Sequence, residues 1–165
     1  MLVLGIDPGY GITGFGLIEA DRTGSRLVTC GAITTPAGMD FSARLEILYN
    51  DLCQLLQQAK PDAVAMEELF FGQNVTTGIG VAQARGVMLL AIRQAGLEVT
   101  SYKPMQVKLS LVGYGNATKK QMQDMTMRLL HLRAMPKPDD AADAIAIALC
   151  HARSATSLLA GVERR

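Results

Sequence analysis

Four acidic side chains stand in apolar runs that would ordinarily exclude them. Asp7 closes Leu2-Val3-Leu4-Gly5-Ile6-Asp7 and Glu67 closes Ala63-Val64-Ala65-Met66-Glu67, while Asp140 and Asp143 lie in Asp140-Ala141-Ala142-Asp143-Ala144-Ile145-Ala146-Ile147-Ala148-Leu149. Burying an ionised carboxylate is costly unless positive charge is held against it. If these segments are neighbours in the fold, the four carboxylates form an all-oxygen cage for a hard divalent cation. That arrangement points to metal-assisted chemistry on phosphate esters.

The individual acids differ in weight. Asp140 and Asp143 are three apart and share one face of a helix. Capping and the helix dipole account for Asp139 at the start of that helix, but not for Asp143, one turn inside an almost wholly apolar stretch. Asp7 in Asp-Pro-Gly also fits ordinary turn chemistry. Strand alternation puts Glu67 with Ala65 and Leu69 on one face and Glu68 with Met66 on the other, so one of the two glutamates points inward; alternation does not say which.

Other chemistries find less support. Gly9-Tyr10-Gly11-Ile12-Thr13-Gly14 matches a dinucleotide-binding fingerprint, but that motif must open a helix, and residues 11–19 alternate as a strand. Pro8-Gly9 and Gly11 therefore read as hairpin residues. There is no phosphate-loop lysine motif, no nucleophile elbow and no paired-histidine zinc motif. Cys30, Cys53 and Cys150 lie far apart, which suggests neither a zinc site nor a disulfide framework and fits a reduced cytoplasm. His131 and His151 read as helix-surface or core residues. No apolar stretch approaches the roughly 20 residues of a membrane span, and no basic leader precedes the first strand, so a soluble, unprocessed protein is expected.

The formal net charge of +1 hides an uneven distribution. From Leu69 to Pro138 there are nine basic and two acidic residues, net +7; the remainder carries seven basic and thirteen acidic, net −6. A basic middle framed by acidic segments can hold a polyanion against a cation site. Lys119 and Lys120 fall in the first turn of a helix capped by Thr118, where the dipole disfavours cations, and a phosphate docked there would reverse that penalty. Phe70-Phe71 and Tyr114 lie beside glycines in loops and could stack on unpaired bases, although core packing is the commoner use of such residues.

Positioning these groups requires an α/β order. Leu2–Asp7, Gly11–Glu19 and Arg26–Thr35 read as strands. Asp40 caps a helix through Leu45, Leu48, Leu52 and Leu55 that ends near Lys60. A strand Ala63–Glu67, a polar connection Gly72–Gly80, a helix Ala82–Gln94 and a strand Glu98–Tyr102 follow. Helices Thr118–Leu132 and Asp139–Arg153 complete the chain. With 165 residues, 49% of them hydrophobic, one compact domain over 1–153 is expected, with 154–165 as a short C-terminal tail. The order of elements predicts a mixed sheet covered by helices.

Taken together, Leu4-Gly5-Ile6-Asp7-Pro8-Gly9, Ala65-Met66-Glu67-Glu68-Leu69-Phe70, Gly80-Val81-Ala82-Gln83-Ala84-Arg85-Gly86 and Asp140-Ala141-Ala142-Asp143-Ala144 resemble, in order and spacing, the RuvC family of bacterial Holliday-junction resolvases. The first motif alone also resembles actin-like ATPases and YqgF-type nucleases; an actin-like enzyme would need two such lobes and a far longer chain. The resemblance implies a ribonuclease-H-like fold with a mixed five-stranded sheet flanked by helices on both faces. It implies a homodimer that nicks opposing strands of a four-way DNA junction during recombination and repair, and a RuvA/RuvB branch-migration partner. It places the catalytic, metal-binding acids on Asp7, Glu67, Asp140 and Asp143, choosing Glu67 over Glu68. The junction-contacting aromatic falls on Phe70 and the DNA-contacting lysines on Lys108 and Lys119, whereas Lys120 rests on charge alone. Oxygen ligands favour Mg2+ or Mn2+, most simply two ions, with in-line hydrolysis to 5′-phosphate and 3′-hydroxyl ends and no covalent intermediate.

Overall fold

The computed structural model describes residues 1–69 and 75–157. Strand β1 (Leu2–Asp7) turns back through residues 8–11 into β2 (Ile12–Ala20), which pairs in turn with β3 (Ser25–Thr34). Helix α1 (Phe41–Ala59) crosses to β4 (Ala63–Glu67), and α2 (Val75–Gln94) crosses to β5 (Val99–Tyr102). Helices α3 (Pro104–Val112), α4 (Lys119–Leu129) and α5 (Asp139–Ser157) follow. The sheet order is β3-β2-β1-β4-β5, with β1, β2 and β3 antiparallel and β4 and β5 parallel to β1. This is the expected mixed five-stranded sheet.

Local signals account for most element ends. The Asp40 carboxylate accepts from the Ser42 N–H at 3.0 Å and starts α1, which ends in a left-handed Lys60. Thr118 and Gln121 close a reciprocal capping box at the start of α4. The helices depart from expectation in four places. Helix α2 begins at Val75 rather than Ala82: the glycines of 75–80 resemble a loop, yet Gly80 lies inside the helix against the Tyr10 ring, where a Cβ would be tight at 3.0 Å. Helix α3 was not anticipated, although Pro104 in its first turn and left-handed Gly113 at its end are the usual punctuation of a short helix. Helix α4 stops three residues short of Leu132, and α5 runs four past Arg153.

The two faces of the sheet are covered differently. On one, α1 and α2 bury Leu48, Leu52, Leu56, Met88 and Ile92 against Leu4, Ile6, Leu17, Val64 and Met66. On the other, α3, α4 and α5 enclose Val3, Ile18, Ala65, Tyr102, Val107, Leu130 and Ile145. Here α5 lies on bare backbone. A Cβ on Gly5 would run into the carbonyl of Ala144 and meet the Ala148 nitrogen at 2.7 Å; on Gly14 it would strike the Asp140 carbonyl, and on Gly16 it would meet Ile145 at 2.6 Å. Glycines in β1 and β2 opposite alanines in α5 thus bring the start of α5 close against the sheet.

Candidate active site

Two strand ends and one helix start converge at the carboxyl edge of β1 and β4. In β1, Val3 belongs to the α5-side core and Gly5 touches α5, so alternation carries Asp7 to the same side. In β4, Ala65 faces α5 while Val64 and Met66 face α1 and α2, so Glu67 points toward α5 and Glu68 away. The parallel pairing runs to Ile6 with Met66, and that register continued by one residue sets Asp7 beside Glu67. The geometry answers what alternation left open. Glu67 is partly buried among the acids, whereas Glu68 is exposed and uses its backbone N–H on the Tyr102 carbonyl at 2.8 Å.

The charges at this edge feel one another. Burial, followed by the nearby Glu67, Asp143 and Asp140 carboxylates, pushes the Asp7 carboxyl up to about 7. Burial raises Glu67, with Asp143 adding repulsion and Lys108 opposing it. Burial also raises Asp143, against the pull of Lys119. All four predicted acids therefore belong to one electrostatic cluster. Two full charges about 4 Å apart repel by roughly 4 kcal/mol at an effective dielectric near 20, so such a cluster favours either a shared proton or a bound cation.

Among the described residues no three acid, cysteine or histidine side chains are already drawn together at metal-holding spacing. The donors are nonetheless all carboxylate oxygens, and their mutual repulsion is what a hard cation relieves. Their chemistry fits Mg2+ or Mn2+.

An open depression of about 230 Å³ adjoins the cluster, lined by Glu67, Asp143, Lys108, Lys119, Pro104 and Met122 among others. Asp7 and Asp140 do not line it. Lys108 comes from α3, so the helix missing from the sequence reading carries one of the lysines implied for DNA contact. Lys119 sits at the start of α4 with its Nζ 3.0 Å from Asp139 and 3.6 Å from Asp143, and these acids, Asp139 foremost, raise its pKa. Asp139 is thus an ion-pair partner as well as a first-turn acid. No sequence signal revealed this, because it depends on α4 and α5 starting side by side. Lys120 is exposed, with no ion pair among the described residues. Tyr114 is 42% exposed just beyond Gly113. Phe70 and Phe71 lie outside the described residues.

Both the sequence and the fold have counterparts among known proteins. The family description "Crossover junction endodeoxyribonuclease RuvC" matches residues 3–151. The crossover junction endodeoxyribonuclease RuvC of Chloroflexus aurantiacus is 52% identical over 158 residues, 96% of each chain, and that of Chloroflexus aggregans is 54% identical over the same span. Among solved structures, T. thermophilus RuvC in complex with Holliday junction substrate superposes with a TM-score of 0.86 at 33% identity, covering 94% of this chain and 95% of that one.

Proposed function

Because the chain belongs to the RuvC family of crossover junction endodeoxyribonucleases, we propose that it cuts four-way DNA junctions by divalent-metal-assisted hydrolysis at Asp7, Glu67, Asp140 and Asp143. The activity class, a structure-selective Holliday-junction nuclease, comes with the family. The observation carrying the site assignment is the convergence of four acids from two strand ends and one helix start, where burial first and the neighbouring carboxylates second hold the Asp7 carboxyl at about 7.

Asp7, Glu67, Asp140 and Asp143 would hold Mg2+ or Mn2+, most simply two ions, which would activate a water and stabilise the departing 3′-oxygen. The chain's own groups do the rest. Glu67 and Asp143 face the depression in which the scissile phosphate would lie, and Lys108 and Lys119 line the same opening to receive strand phosphates. Lys119 exchanges Asp139 for phosphate as DNA arrives. Lys120, one residue further along α4, faces solvent and adds attraction. Phe70, three residues beyond the end of β4 in the sequence, is assigned to the junction's unpaired region.

Paired nicks require paired sites. An isologous homodimer presents two of them related by a twofold axis, matching a junction with two equivalent strands. Helix α2 supports this reading: Ala84, Met88, Ala91 and Ile92 are buried against the sheet, while Ile79 and Leu90 are each more than half exposed. A RuvA/RuvB branch-migration complex is the proposed partner and the cytoplasm the proposed location; no helix among the described residues is long and apolar enough to cross a membrane.

The test is a cleavage assay with Mg2+ on a synthetic four-way junction, the matching duplex and an RNA–DNA hybrid. Paired, symmetric nicks confined to the junction are expected, and equal cutting of duplex or hybrid would defeat the substrate assignment. Asp143→Asn should bind the junction within about twofold of the parent yet lose cutting by about a thousandfold or more. Comparable cutting by that variant would remove Asp143 from the mechanism.

A further inference from the structure

Asp7 ends a strand and is followed by a turn, Pro8-Gly9-Tyr10-Gly11, whose backbone is held almost entirely from outside itself. The Thr13 hydroxyl donates to the Gly9 carbonyl and lies 3.4 Å from the Gly9 N–H. The Thr35 hydroxyl donates to the Tyr10 carbonyl, and the Thr35 N–H donates to the Gly11 carbonyl at 3.0 Å. Among the described residues only three polar side chains are buried, and two of them, Thr13 and Thr35, serve this turn.

Arg44 of α1 completes the arrangement. Its Nε donates to the Thr35 hydroxyl at 2.9 Å, its Nη2 reaches the Tyr10 carbonyl at 3.4 Å, and its guanidinium carbon stands 4.8 Å from the centre of the Tyr10 ring. The Tyr10 ring also meets Phe41 edge-on, with ring centres 5.6 Å apart, and packs close to the bare backbone of Gly80 in α2. No carboxylate pairs with Arg44 among the described residues. Its hydrogen bonds reach Thr35 and the Tyr10 carbonyl, so the link from Arg44 to Asp7 runs through the backbone of the turn.

We infer that Arg44 is a positioning residue for cleavage: it clamps the 8–11 turn to α1 and α2 so that the Asp7 carboxylate stays facing Glu67 and Asp143. The inference rests on the reading of Asp7 as a metal ligand. Repulsion among ionised acids would act to push the end of β1 outward, and a turn with few bonds of its own would yield unless tied down. The planar guanidinium can stack on Tyr10 while its Nε–H reaches Thr35, a combination an ammonium cannot reproduce.

The experiment compares the full chain with Arg44→Ala, Arg44→Lys, Thr35→Val and Asp7→Asn. Each is measured for junction affinity without metal, for cutting rate at saturating junction and Mg2+, and for the Mg2+ concentration giving half-maximal cutting. Arg44→Ala and Thr35→Val should each raise the Mg2+ midpoint by about tenfold and lower the saturated rate by about tenfold, with junction affinity within about twofold of the parent. Arg44→Lys should recover less than about half of that loss, and it decides the matter if the alanine variant does not fold. An unchanged Mg2+ midpoint in the folded variants would overturn the inference, as would a loss of junction affinity that explains the whole defect and makes Arg44 a DNA contact. Asp7→Asn keeps the two readings apart: parental cutting by that variant would overturn the assignment of Asp7, whereas an inactive Asp7→Asn beside an unaffected Arg44→Ala would overturn only the role of Arg44.

Discussion

The two faces of the sheet bury apolar surface by opposite means. Between the sheet and helices α1 and α2 the filling is large side chains, Leu4, Ile6, Leu17 and Met66 against Leu48, Leu52, Met88 and Ile92, and each such residue contributes roughly 1.5–3 kcal/mol when fully buried. Between the sheet and α5 the filling is nearly absent where it would be expected, since Gly5, Gly14 and Gly16 meet Asp140, Ala144, Ile145 and Ala148 almost backbone to backbone. The first face is built for cohesion. The second gives up side-chain burial for proximity, because only a helix lying this close can hand Asp140 and Asp143 to the ends of β1 and β4. The same polypeptide thus separates the region that keeps it folded from the region that sets its chemistry.

A pair of substitutions tests this separation with the largest expected effects. Gly5→Ala puts a methyl into the Ala144 carbonyl and must lift α5; overpacking costs about 1–3 kcal/mol, and displacement of the acids should reduce junction cutting by about a hundredfold or more. Leu52→Ala, buried to 1% exposure on the other face, should cost about 2–5 kcal/mol of stability. Its cutting rate per folded molecule should stay within about twofold of the parent. Denaturant unfolding and single-turnover cleavage read the two quantities separately. If Gly5→Ala cuts normally, or if Leu52→Ala loses rate while folded, the division of labour between the faces is wrong.

The same contrast explains what could be read from the chain. Cohesion is written as pattern: Leu45, Leu48, Leu52 and Leu55 recur at helix spacing, and the structure buries Leu48, Leu52 and Leu56, while Leu2–Asp7 and Ala63–Glu67 stand out as apolar strand runs. The acids stood out because each violates such a pattern, so the candidate site was legible from its exceptions. Proximity leaves little trace. Gly14 and Gly16 appear in the sequence as part of an alternating strand, and nothing local says that α5 will occupy the space they vacate. Helix α2 was read seven residues short for the same reason, since Gly80 serves Tyr10 across the fold rather than its own segment. The pairing of Lys119 with Asp139 is likewise a property of two helix starts meeting, which no spacing along the chain encodes.

A smaller effect should appear in metal-free protein as pH changes. Burial and acidic neighbours hold the Asp7 carboxyl at about 7, above its ordinary 3.8, and raise Glu67 and Asp143 as well. From about pH 4 to pH 7 the folded state therefore binds more protons at these groups than the unfolded chain, and their contribution to stability falls as pH rises. For Asp7 the cap on this loss is roughly 4 kcal/mol. His151, lowered by burial, acts in the opposite direction, favouring the fold as pH rises toward 6.5. The informative quantity is therefore the difference between parent and Asp7→Asn in EDTA. The variant should be the more stable of the two at pH 8, with the gap narrowing as pH falls and nearly closed below about pH 4, and Mg2+ at pH 8 should stabilise the parent more than the variant by binding the folded state. Parallel stability curves for the two proteins would mean that the acidic edge carries no strain.

The smallest expected effect separates two lysines that adjoin each other in the first turn of α4. Lys119 is already engaged, 3.0 Å from Asp139 and 3.6 Å from Asp143, whereas Lys120 has no ion pair among the described residues. A free lysine that neutralises one phosphate changes the salt slope of binding by about 0.7–0.9. Lys119 must first leave Asp139, so part of its gain is offset by the ion pair it breaks, worth about 0–1 kcal/mol at this exposure. Lys119→Ala and Lys120→Ala should each flatten the dependence of junction affinity on salt by close to one ion, measured without metal to prevent cutting. Asp139→Asn should tighten junction binding by about two- to fivefold at low salt in the parent background and do nothing in Lys119→Ala. An equal gain in both backgrounds would mean that Asp139 repels DNA by its charge alone, and that Lys119 is not exchanged between the acidic edge and the phosphate.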